Sequence, residues 1–220
     1  MRTGCRSLRS FRCNFFDRTP GEDRYPVLSR LIVTIKKEEC TMEWEFRILN
    51  FIQGLRTPFG DAVMPIVTAL GNTGIFWIVL AVVLLAIPKT RKTGVVVAAA
   101  LCFDVVLCDG ILKHLFARVR PCDINTSIQL LISRPKDFSF PSGHTAASFA
   151  SVTALYFAKE RKLWIAALVL ACVIAFSRLY LYVHYPTDVL GGLAVGLVSG
   201  YLGYKTVEFV RKCREVKGGI

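Results

Sequence analysis

Charged residues are scarce in this chain, and acids scarcer than bases. Of 220 residues 20% are charged, with 16 Asp and Glu against 28 Lys and Arg. Histidine is rarer still, with three: His114, His144 and His184. The eight cysteines form no Cys-x-x-Cys pair and no zinc-ligand spacing, which argues against a structural zinc site and a disulfide framework. Cys102, Cys108 and Cys172 fall inside apolar runs, where thiols act as small hydrophobes, and Cys122 is read as incidental. Although the net charge is +12 and the pI about 9.5, no aromatic-rich basic module of the nucleic-acid kind is present. The first 41 residues lack a signal-peptide core of about 7–15 apolar residues. Their longest apolar run is Leu31-Ile32-Val33-Thr34-Ile35.

What the chain has in excess is apolar surface. Hydrophobic residues make up 53% and the mean hydropathy is +0.46, more apolar than a soluble domain. Residues 1–41 form a basic tail, expected to be disordered or to come from an upstream mis-start. Lys37-Glu38-Glu39 can be encoded as AAGGAGGAA, a bacterial ribosome-binding sequence at a suitable distance from Met42. Residues 42–220 read as one all-α, integral membrane domain. An amphipathic segment, 42–56, leads in. Six spans follow: Pro58 to Leu70, which borrows part of the lead-in helix and is interrupted by Asp61 and Pro65; Ile75 to Ile87; Val95 to about Leu115; a fourth that starts after Pro141 and runs to Ala158; Leu163 to about Val183; and Pro186 to about Val210. Several approach the roughly 20 residues that cross a bilayer. Gly71-Asn72-Thr73-Gly74 is a tight turn. Gly191, Gly192, Gly196 and Gly200 let helices approach closely in the sixth span.

The loop charges orient these spans. Lys89-Thr90-Arg91-Lys92, Lys159-Glu160-Arg161-Lys162 and the C-terminal Arg211, Lys212, Arg214 and Lys217 all fall on one side, which the positive-inside rule makes cytoplasmic. Three other stretches fall on the opposite face, outside the cell membrane or in an organelle lumen. They are Lys113 to Pro121, Pro141 to His144, and Ser177 to Asp188. Their cations Lys113, Arg118, Arg120 and Arg178 run against the rule, as residues held there by function would.

Those stretches share one chemistry. A phosphomonoester carries nearly two negative charges, and Lys113, Arg120 and Arg178 are suited to neutralise its oxygens. Ser142-Gly143 opens a helix whose N–H groups can meet an anion, and the Ser142 hydroxyl can add to them. In-line displacement then needs an attacking group and a proton donor. His184 and Asp188, spaced i, i+4, make a nucleophile with an orienting carboxylate. His144 is left as general acid, then as base for water. His114 reads as an interfacial anchor, Arg118 as a contact to water or lipid headgroups, and Asp109 as an ion-pair partner of Lys113. Asp104 reads as a structural polar contact. Two histidines and one aspartate could hold zinc, but the surrounding cations would repel it, so no metal and no cofactor is expected.

At these residues the chain resembles the type 2 phosphatidic acid phosphatase family. The family signature is K-x6-R-P, P-S-G-H and S-R-x5-H-x3-D. Here it reads Lys113-HLFARV-Arg120-Pro121, Pro141-Ser142-Gly143-His144 and Ser177-Arg178-LYLYV-His184-YPT-Asp188. Many bacterial relatives carry Arg-Pro-Arg-Pro in the first motif, where this chain has Arg118-Val119-Arg120-Pro121. The resemblance implies metal-independent hydrolysis of a membrane lipid phosphate or pyrophosphate, with release of inorganic phosphate. Phosphatidic acid, phosphatidylglycerophosphate and undecaprenyl pyrophosphate are among the family's substrates. The partners implied are the lipid substrate and the bilayer; the oligomeric state stays open. Two other classes compete. A catalytically silent binder of lipid phosphates would be free to lose His144, His184 and Asp188, which are intact. A transporter would need a polar path across the spans, to which only Asp104 and Asp109 hint.

Overall fold

The structure, a computed structural model, describes residues 42–218. The expectations for residues 1–41 lie outside the described residues. The chain divides into two units, Met1–Trp44 and Glu45–Ile220; apart from the first three residues of the first helix, the helices and the site described below belong to the second. Among the described residues every regular element is helical.

The lead-in segment is a separate helix, α1, over residues 42–54, with Leu49 and Ile52 buried and Ile48 and Phe51 exposed. It does not run on into the first span. The chain turns at 55–57, and Thr57 caps the next helix, α2 (Pro58–Leu70), by accepting from the Gly60 N–H at 3.1 Å, with Pro58 in the first turn. Pro65 lies inside α2 without ending it. The break falls instead at the expected glycine turn. Asn72–Gly74 is a short 3-10 segment with Thr73 and Gly74 at φ 49° and 66°. There α2 meets α3 (Ile75–Ala86), and the bend between the two is 45°.

Helix α4 (Arg91–Asp104) continues through a π-helical segment, Val105–Leu112, into α5 (Lys113–Phe116), which stops at Ala117 in a left-handed conformation. The loop 118–139 carries the short α6 (Pro121–Ile124) and is closed at its neck by Ser139 N–H donating to Arg118 O at 2.8 Å. Then come α7 (Gly143–Phe157), α8 (Arg161–Tyr180) and α9 (Pro186–Gly218).

Helix α7 is the centre of the bundle, packed chiefly on α9 and also on α8 and α4. The expected glycine packing is present. A Cβ on Gly192 would lie 2.5 Å from Ser142 O, and one on Gly196 2.6 Å from Ala146 O, so larger residues there would push α9 off α7. The core joins Trp77, Leu84, Val97, Ala150, Leu155 and Ile174, and the Trp77 indole donates to Ser148 Oγ at 3.0 Å. Val79, Val82, Val106, Val169 and Val198 face outward, a large apolar exterior of the kind a bilayer covers.

Among the described residues, Arg91–Ile124 and Arg161–Tyr180 are long and apolar enough to cross a membrane, and the bent pair α2–α3 adds a third if it is one span. The other expected spans are weaker by that measure for plain reasons. Helix α7 has 15 residues, short of the roughly 20 needed alone. Helix α9 is long, but Gly191, Gly192, Gly196, Ser199, Gly200 and Gly203 dilute its apolar character.

Candidate active site

At one end of the bundle α2, α5, α7, α8, the loop 118–139 and the α8–α9 turn enclose a cavity of about 410 Å³. Its walls include Lys113, Arg120, Gly143, His144, Arg178 and His184. Six sequence-expected residues therefore meet around one space, although they are up to 71 positions apart in the chain (113 to 184).

The cations are already engaged. Lys113 Nζ lies 2.7 Å from Asp109 Oδ1, the expected i, i+4 pair, and 2.5 Å from Asp137 Oδ2. Arg120, almost fully buried, uses every N–H it has. Nε donates to Asp137 O (2.9 Å), Nη2 to Asp137 Oδ1 (2.8 Å) and Phe138 O (3.3 Å), and Nη1 to Val183 O (2.7 Å) and His184 Nε2 (3.0 Å). Asp137, absent from the expected set, thus bridges two of the three cations expected to meet a phosphate. Partial burial works against its charge, but the hydrogen bond from Lys113 and the charge of Arg120 outweigh it and hold the carboxyl well below the usual range. Arg178 sits on α8, donates to Thr68 Oγ1, and keeps its Nε buried without a partner.

The two histidines differ in setting. His184, in the turn between α8 and α9, is 1% exposed. A guanidinium only donates, so Arg120 beside Nε2 makes that nitrogen the acceptor and puts the neutral ring's proton on Nδ1. Nδ1 faces Asp188 Oδ2 at 3.6 Å, close enough for an ion pair but long for a hydrogen bond, and has no other partner. Burial, with the charges of Arg120 and Arg178, pushes His184 down to about 3, while Asp188 pulls the other way. His144 is half-buried in the first turn of α7, and its Nε2 lies 2.9 Å from Asn72 Oδ1 in the α2–α3 turn.

Asp188 has no exposed surface. Its Oδ2 accepts from the Ser139 hydroxyl at 2.5 Å and the Tyr185 N–H at 2.9 Å, and its Oδ1 accepts from Arg118 Nη1 at 2.6 Å. Arg118 also donates to Glu45 and stacks 3.9 Å above the Tyr185 ring. This corrects the expectation that Arg118 meets water or headgroups: the left-handed stop at Ala117 turns the chain so that Arg118 points back at the α9 N-terminus.

Ser142 departs from expectation in another way. It is fully buried, its N–H donates to Asp188 O at 3.0 Å and its Oγ accepts from Thr145 at 3.0 Å, so it braces the α7–α9 junction and does not line the cavity. His114 is exposed and edge-on to Phe138, away from the cavity. Asp104 is buried with Oδ1 unpartnered among the described residues, so the expected polar contact is not formed by that atom. No group of three or more His, Cys, Asp or Glu side chains among the described residues could hold a metal ion.

Residues 89–212 match the family model described as the PAP2 superfamily. The chain belongs to the PAP2 superfamily. This PAP2 protein is 30% identical to an undecaprenyl-diphosphatase of Sulfolobus acidocaldarius over 57% of its own length. It spans about three fifths of that relative's length, 61%. It is 28% identical to a lipid A 4'-phosphatase of Porphyromonas gingivalis, over 79% of this chain and 77% of that protein. Among solved structures, the transmembrane PAP2-type phosphatidylglycerolphosphate phosphatase from Bacillus subtilis superposes with a TM-score of 0.64 and 28% identity. That match covers 78% of this chain and 88% of the other. The all-helical membrane fold is thereby shared with a solved PAP2 phosphatase.

Proposed function

We propose that this PAP2 protein hydrolyses a membrane lipid phosphate or pyrophosphate without a metal, through a phosphohistidine on His184. The observation that carries the reading is the cavity: three cations and two imidazoles face one space, and the Arg178 Nε is buried with nothing to donate to. A phosphoryl oxygen supplies that missing acceptor.

The steps follow from the atoms. Lys113, Arg120 and Arg178 neutralise the non-bridging oxygens as transition-state charge spreads over them. His184 Nε2, released from Arg120, attacks phosphorus, and the imidazole charge that forms is stabilised by Asp188 facing Nδ1. The bond to the lipid oxygen breaks, and His144 gives that oxygen its proton. Water then enters, His144 takes its proton back, the P–N bond breaks, and inorganic phosphate leaves. Gly143 leaves the α7 N-terminus open beside the phosphate; Ser142 supports it from behind.

The relatives named for undecaprenyl diphosphate, lipid A and phosphatidylglycerolphosphate share a phosphate on a lipid, so the proposed substrate class is lipid phosphate. Phosphatidic acid, phosphatidylglycerophosphate and undecaprenyl pyrophosphate all fit it. We place the protein in the cell membrane with six spans and the cavity on the extracytoplasmic face, because the basic loops cluster at the other end of the helices. The test is phosphate release from a panel of these lipids by protein purified in detergent with excess EDTA. Turnover that persists and is blocked by vanadate supports the reading. Turnover lost in EDTA and restored by a divalent ion overturns it.

A further inference from the structure

Glu45, on α1, is a carboxylate with no exposed surface. An acid so placed is tolerated only when its charge is met by partners. Its Oε1 accepts from the Thr187 N–H at 3.2 Å and from the Thr187 hydroxyl; its Oε2 accepts from Arg118 Nη2. The other arm of that guanidinium donates to Asp188 Oδ1 at 2.6 Å and to Thr187 Oγ1 at 2.7 Å, with the Tyr185 ring beneath it. Apart from the Glu45–Arg118 pair itself, these contacts fall on the short turn, 184–188, that presents His184. Glu45 itself is not part of the cavity wall.

Two carboxylates, Glu45 and Asp188, therefore share one cation. An opposite charge held between two acids is divided between them, and each acid keeps part of its field for other neighbours. Asp188 is needed for such a neighbour: the His184 ring, 3.6 Å away, which becomes positive as its Nε2 bonds phosphorus. We infer that Glu45 is a positioning residue for the reaction: it pins the 184–188 turn through Thr187 and holds Arg118 from the far side, so that Asp188 stays available to His184. The first helix of the domain is then part of the active site's support, at a position outside the three signature stretches. The inference rests on His184 being the attacking group.

The test compares wild type, Glu45→Gln and Thr187→Val in EDTA, by single-turnover trapping of phosphoenzyme and by steady-state kinetics. Glu45→Gln is expected to slow phosphoenzyme formation and kcat by about tenfold or more, the scale at which partners behind an active imidazole act. Thr187→Val, which removes one hydroxyl and no charge, follows with a smaller loss. KM and vanadate inhibition stay unchanged, and the acid limb of kcat/KM moves to lower pH, because removing a negative charge weakens proton binding at His184. Adding Arg118→Gln to Glu45→Gln restores part of the rate, since the unshared cation is gone. Rates equal to wild type, or a loss confined to KM or thermal stability with the acid limb unmoved, overturn the inference. Wild-type turnover with no trapped phosphohistidine instead overturns the nucleophile assignment beneath it, which separates the two failures.

Discussion

Replacing Asp137 by Asn removes a negative charge that stands beside the cations proposed to hold the phosphate. Its two oxygens hold Lys113 Nζ at 2.5 Å and Arg120 Nη2 at 2.8 Å, and Arg120 has no N–H left over. A phosphoryl group can reach these cations only by displacing the carboxylate or lying against it, and both outcomes penalise an anion. Two unit charges about 4 Å apart interact by about 4 kcal/mol at an effective dielectric of 20 and by about 1 kcal/mol in water. The Asp137 side chain is 50% exposed, so solvent screening puts its effect toward the lower figure, about 1–2 kcal/mol. That corresponds to roughly 5- to 30-fold in affinity for an anion. Asp137→Asn keeps the shape and still accepts through its amide oxygen, so vanadate should inhibit the variant at a concentration lower by about that factor. The assay is vanadate inhibition of lipid phosphate hydrolysis in EDTA, at several salt concentrations, with the gain shrinking as salt rises. Vanadate inhibition that is unchanged or weaker would refute the reasoning, because Asp137 would then be holding the cations in place for the phosphate.

Three further predictions follow from the site. His184 is held neutral down to about 3 by burial and by Arg120 and Arg178; the neutral ring is the attacking form and is lost only as pH falls through the folded value, so the acid limb of kcat/KM should lie well below the pH of an ordinary histidine, and a limb near 6.5 would contradict this. His144→Ala should still form phosphoenzyme from a substrate with a good leaving group and fail with a lipid alcohol, whose alkoxide needs a proton; equal loss on all substrates would show that His144 is not the proton donor. An impermeant thiol reagent applied to intact cells should label a cysteine placed in the 118–139 loop and miss one at 89–92, and the reverse pattern would invert the orientation.

Much of the site was legible because it is written in short local patterns. Lys113, Arg120, Gly143, His144, Arg178 and His184 line the cavity as the spacing implied. The helices that carry them start near the expected positions, since Pro186 and the Ser142-Gly143 turn punctuate the chain wherever it folds. What the sequence concealed is the set of partners that only tertiary packing supplies. Asn72 and Thr68 come from α2 and the turn after it, far from the motifs in sequence, Asp137 from an irregular loop, and Glu45 from a helix that reads as merely amphipathic. Ser142 misled for the same reason: a serine before a helix reads as a ligand for an anion, but packing against Gly192 and Asp188 turns it inward. Arg118 lies two positions from Arg120, yet it reaches Thr187 and Asp188 while Arg120 reaches Val183 O and His184, a division that the spacing does not reveal. The span count was the least legible feature, because α7 and α9 rely on small residues and helix contacts in place of a long apolar run.

The central claim is that phosphate passes from a lipid to His184 with no metal. It is tested most directly by mixing the protein, in EDTA, with a lipid radiolabelled in its phosphate, quenching in alkali within a turnover and mapping the labelled peptide. The account predicts an alkali-stable, acid-labile label on the peptide carrying His184, absent from His184→Ala. A label on any other peptide, or one that persists in His184→Ala, would contradict it.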